Sequence, residues 1–109
     1  MVHVRFDQLG SALVVTPLLR RLDAAAASAF VAAVRDRAKD QPRVVVSLAH
    51  VGALDASGLA ALVAIHQLMR PGSELRLAHA PPAVRALLED TSLDLVFPAF
   101  EDEAAALRA

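Results

Sequence analysis

The chain contains no cysteine, no tryptophan and no tyrosine. Without cysteine it forms no disulfide, thiolate metal site or cysteine nucleophile, and the absence fits a reducing compartment. Aromatic surface is limited to four scattered phenylalanines, and 11 Lys and Arg against 12 Asp and Glu leave a net charge of −1. There is no basic block to neutralise phosphates, so no nucleic-acid partner is expected. No uncharged apolar run reaches the ~18 residues that cross a bilayer. The most apolar segment, Leu54 to Met69, is too short and begins beside Asp55, so direct membrane insertion is not expected. Met1 to Asp7 alternates apolar and polar residues, unlike a basic stretch followed by a long apolar one, so no signal peptide is expected. The expectation is a soluble, cytoplasmic protein.

Chemical motifs are scarce as well. His3, His50, His66 and His79 are dispersed and lack the spacing of a metal site, so no metal is expected. There is no Walker loop and no Gly-x-Gly-x-x-Gly, hence no cofactor. The Gly-x-Ser-x-Gly elbow of serine hydrolases is missing too. No catalytic residue is assigned, and the chain is read as a binding module rather than an enzyme.

What is present is apolar material, 56% of 109 residues, enough for one compact domain over residues 1–109. Val2, Val4 and Phe6 alternate with polar neighbours, the period of a half-buried strand. Leu9-Gly10-Ser11 is a turn, and Ala12 to Thr16 a second, antiparallel strand ending at Pro17. Asp23 caps a helix whose inner face carries Ala27, Phe30, Val31, Val34 and Ala38, and which stops at Asp40-Gln41-Pro42. The run Val44-Val45-Val46, within Arg43 to Leu48, predicts a central, parallel strand covered on both faces. A loop over Ala49 to Leu54 leads to a second helix from about Ser57 to Arg70, stopped by Pro71-Gly72. Glu74 to Ala78 is the next strand, and Pro81-Pro82 starts a third helix with Val84, Leu87 and Leu88 inward. Leu93 to Phe100, broken by Pro98, reads as a short strand or extended segment. Glu101-Asp102-Glu103 opens a last short helix to Arg108. The order predicts an α/β fold: a mixed sheet with an N-terminal antiparallel hairpin, parallel strands joined by right-handed crossovers, and about four helices mainly on one face.

Sites in such sheets gather where strand C-termini meet helix N-termini, which points to Asp55-Ala56-Ser57-Gly58. A helix N-terminus accepts negative charge, and a phosphate on Ser57 would add about −1.5 to −2 charge there. A serine or aspartate beside a helix start is ordinarily a cap, and Asp-x-Ser-Gly alone is a short signal. On the second helix, Leu59, Ala60 and Val63 share a side with His66, Gln67 and Arg70, apart from the stripe Leu62, Ile65 and Met69. One helix on a sheet needs one stripe. The surplus is either a partner surface beside Ser57 or part of a wide buried face.

Val44-Val45-Val46-Ser47-Leu48, Val51 and Leu54-Asp55-Ala56-Ser57-Gly58-Leu59-Ala60-Ala61-Leu62 together resemble the hallmark of the STAS family, the sulphate transporter and anti-sigma factor antagonist domains. Leu22-Asp23-Ala24-Ala25, Leu75-Arg76-Leu77 with Pro81 to Leu88, and Leu93 to Phe100 extend the resemblance along nearly the whole chain in one order. It implies a single STAS domain of the stand-alone, bacterial anti-sigma factor antagonist type, with Ser57 as phosphate acceptor. Its implied partners are an anti-sigma factor that is also a serine kinase, and a serine phosphatase. Ala56 stands where the family more commonly has a serine. Contact residues would be Asp55, Ala56, Ser57, Gly58, Leu59, Ala60 and Val63, with Asp23 in a structural or regulatory role. The alternative the resemblance leaves open is a STAS subunit regulating the ATPase of an ABC-type lipid transporter. Oligomeric state stays open.

Overall fold

A computed structural model describes residues 2–108. Met1, which begins the first alternating segment, lies outside them, as does Ala109. Strand β1 (Val4–Leu9) pairs antiparallel with β2 (Ala12–Pro17) through a two-residue turn. Gly10 in that turn has φ +62°, the left-handed geometry that tight hairpins demand. Next come β3 (Arg21–Leu22), α1 (Ala24–Ala38), β4 (Arg43–Ser47), β5 (Ala53–Leu54) and α2 (Ala56–Leu68). β6 (Glu74–Ala78), α3 (Pro82–Asp90), a 3-10 turn at Leu93–Leu95, β7 (Ala99–Phe100) and α4 (Glu103–Arg108) complete the chain.

The main sheet has the order β1-β2-β4-β6-β7, parallel except for the first pair. β4 is central, and Val44, Val45 and Val46 are all fully buried. Val44 and Val46 join the larger core with Phe30, Val34, Leu62 and Ile65, while Val45 packs on the opposite face with Val14, Ala78 and Ala106 of α4. This two-sided cover explains the continuous β-branched run. Because β2, β4 and β6 run the same way, their C-terminal ends all lead to the end of the sheet where α1, α2 and α3 begin. The turns at Gly10-Ser11 and Pro71-Gly72 gather at the other end.

Two expectations are corrected. Leu93 to Phe100 is not one extended segment. Ser92 turns the chain at φ +60°, a 3-10 turn follows, Phe97 drops into the core, and only Ala99–Phe100 pairs as a strand. The loop Ala49 to Leu54 ends in a two-residue strand, β5, parallel to β3. On β6, Arg76 is only 6% exposed despite its charge. α4 covers it, and its guanidinium donates to the Ala106 carbonyl at 2.7 Å and to Glu74 at 2.6 Å.

Candidate functional site

The site is built on the small ladder of β3 and β5, with Leu22 opposite Leu54. Each strand runs directly into an aspartate that caps a helix. Asp23 Oδ1 accepts from the Ala26 N–H at 3.3 Å, and Asp55 Oδ1 from the Gly58 N–H at 3.1 Å. The Arg20 carbonyl accepts from the Gly52 and Ala53 amides at 2.8 and 3.1 Å. The N-termini of α1 and α2 therefore start side by side. Asp23 also lies 3.9 Å from the exposed Arg21 guanidinium.

Asp55 is the cap of α2, so the helix begins at Ala56 and Ser57 is its second residue. The Ser57 hydroxyl is thus spared the capping role, and Ser57 is half-buried. Backbone amides in a first helical turn have no intrahelical acceptor, and the helix dipole is positive there. A phosphate on Ser57 would meet that favourable field together with the opposing Asp55 carboxylate.

Of the predicted contact residues, Asp55, Ala56 and Ala60 are exposed, and Ser57 and Val63 are half-buried. The other two, Gly58 and Leu59, have little exposed surface. Gly58 is buried, and a Cβ there would collide with the Leu22 carbonyl oxygen and come within 2.7 Å of Leu54 Cγ. Its missing side chain lets α2 approach β3 of its own chain. Leu59, 4% exposed, belongs to the core with Leu62, Ile65 and Met69. The helix therefore buries a wide face, and Ala60 and Val63 are what remains outward of the apolar surplus. Between α2 and the segment after α3 lies an open groove of about 400 Å³, reached by Ala56, Ala60 and Val63 on one side and Thr91 and Leu93 on the other.

A polar cluster at the same end of the sheet carried no signal in the sequence. The Ser47 hydroxyl, fully buried, donates to Glu103 Oε1 at 2.9 Å, and His79 Nε2 lies 2.5 Å from Glu103 Oε2. Burial pushes the Glu103 carboxyl up, but its own backbone N–H, Ser47 and His79 outweigh this and hold it below its ordinary value. Serine and histidine both face the carboxylate rather than each other, so the arrangement ties α4 to the sheet and does not activate a nucleophile. Among the described residues no group of three or more His, Asp or Glu is placed to hold a metal ion. No helix among them is long and apolar enough to cross a membrane.

A family model described as "STAS domain" matches residues 4–106. Comparison with curated protein sequences returned no match. Solved structures share the fold. An anti-sigma-factor antagonist (STAS) domain protein from Planctomyces limnophilus is 19% identical, with 99% of this chain and 97% of that chain covered and a TM-score of 0.89. An anti-sigma factor antagonist from Mycobacterium paratuberculosis is 23% identical, with 99% and 92% covered and a TM-score of 0.83. The Bacillus cell fate determinant SpoIIAA in its phosphorylated form is 14% identical, with 97% and 98% covered and a TM-score of 0.67.

Proposed function

Because this chain belongs to the STAS domain family, we propose that it is an anti-sigma factor antagonist switched by phosphorylation of Ser57. In its unphosphorylated form it binds an anti-sigma factor that is also a serine kinase, and a sigma factor is released. The kinase supplies the nucleotide and base; this chain supplies the Ser57 hydroxyl as substrate and has no catalysis of its own. The phosphate ends the binding, and a serine phosphatase restores it. The observation that carries this reading is the position of Ser57: on the first turn of α2, half-buried, relieved of capping by Asp55 and bordered by the outward Ala56, Ala60 and Val63. A relative of the same fold having a phosphorylated form supports it.

The reading predicts that charge at Ser57 blocks the partner without unfolding the domain, because a helix N-terminus tolerates an anion. Wild type, Ser57→Ala and Ser57→Asp are used to capture proteins from native lysate, with circular dichroism on each. Wild type and Ser57→Ala should retain a serine kinase that a folded Ser57→Asp loses. Capture of an ABC-type ATPase equally by all three would instead favour the transporter-subunit reading and leave Ser57 a purely structural residue.

A further inference from the structure

We infer that the groove between α2 and the segment after α3 seats a short amphipathic helix of the partner protein, apolar on its buried face and basic along one edge. The inference rests on the partner-binding reading above. Leu59 and Val63 floor the groove, and the small Ala60 and Ala64 let a backbone come close. Further along the far-wall segment, Phe97 is fully buried and meets the His66 ring edge-on at 5.6 Å, anchoring the segment to α2. From Ala56 to Gln67 the groove follows α2 for about 16 Å, at a rise of about 1.5 Å per residue, which suits about three turns of an occupying helix.

Just beyond the wall, Leu95 is 83% exposed and Val96 43%. This adjacent apolar pair, left in water, offers further surface for a partner to cover. The charge beside the groove selects the occupant. Glu89 and Asp90, just before Thr91, and Asp94, just after Leu93, are exposed on the chain that flanks the far wall, and no Lys or Arg lies between Arg85 and Arg108. Like charges across an interface are strongly unfavourable and opposite ones fix register. This wall rejects an acidic helix and an anionic lipid surface alike, and matches a helix that lays an apolar i, i+3/i+4, i+7 ridge into the groove with Lys and Arg on its flank.

The test uses two synthetic helical peptides with the same leucine ridge, one flanked by Lys and Arg and one by Glu. They are titrated into the full isotopically labelled chain and followed by NMR. The basic peptide should bind about tenfold more tightly and shift the amides of Ala60, Val63, Thr91 and Leu93. An Asp90→Lys/Asp94→Lys double variant, altered only at exposed positions, should reverse the preference. Equal affinity for the two peptides, binding of neither, shifts centred elsewhere, or an unreversed preference in the variant would each overturn the inference. Ser57 is unmodified throughout, so these outcomes speak to the groove alone. The switch stands or falls separately, on lysate capture by Ser57→Asp.

Discussion

Replacing Gly58 by alanine should destabilise the domain, although the same change in a free helix stabilises it. Removing a glycine from a helix interior gains about 0.5–1 kcal/mol. At Gly58 the new methyl would collide with the Leu22 carbonyl oxygen, and would sit 2.7 Å from Leu54 Cγ and 3.3 Å from the Leu22 carbonyl carbon. The leucine tip could turn aside, but the Leu22 backbone is paired in the β3–β5 ladder and moves only if α2 or the ladder shifts. Overpacking of this kind costs about 1–3 kcal/mol. Because the obstacle is backbone, the upper part of that range applies, leaving a net loss of about 1–2 kcal/mol. For a domain of this size each kcal/mol lowers Tm by roughly 4–8 °C, so a fall of roughly 5–15 °C is expected by circular dichroism. Gly52→Ala is the internal control: its nearest contact is the Arg20 carbonyl oxygen at 3.9 Å, an ordinary separation, and its stability should stay within about 0.5 kcal/mol. A Gly58→Ala protein as stable as wild type, or more so, would refute the close packing of α2 on β3.

Leu62 is fully buried between α2 and the sheet, and Leu62→Asp would place an unpaired carboxylate there. That cost rivals the ~5–15 kcal/mol that holds a typical domain together, so the variant should lose its folded circular dichroism signal at pH 7; a native spectrum would disprove the orientation of α2. Glu103 titrates below its ordinary value of 4.5 when folded. Its contribution to stability is therefore fully present above about pH 4.5 and lost as pH falls through the lower folded value. Urea unfolding at a series of pH values from 6 to 3 should show a steeper loss in wild type than in Glu103→Gln, which keeps an acceptor for Ser47; identical pH profiles would rule out the tether.

Features set by neighbouring residues were legible in the sequence. Asp23 and Asp55 cap helices because each reaches an amide three residues ahead, and the Val44-Val45-Val46 run announced a strand covered on both faces. Features that depend on distant chain were not. The β3–β5 ladder has two residues per strand, too few for any period to show. Arg76 gives the alternation of a solvated face, and only the arrival of α4 buries it. Gly58 could serve a partner or the protein's own packing until Leu22 is placed beside it. Leu59 sits where the helix's outward and inward sides meet, and the width of the buried face decides which side it joins. The Ser47–Glu103–His79 cluster draws on three separate elements and has no spacing to recognise.

The shared direction of β2, β4 and β6 bears on how the molecule can be handled. The residues of the Ser57 site and the groove lie beyond the strand C-termini, along α2 or on the segment after α3. The hairpin turn lies at the opposite end of a body whose longest extent is 30 Å. Gly10 at its tip is exposed and faces open space, with no atom within 4 Å of where a side chain would begin. Ser11 beside it is also exposed and needs no left-handed backbone. A cysteine placed at Ser11 would be the chain's only thiol. It would be a single handle for a dye or a sensor surface, presenting the Ser57 end outward and leaving the groove free.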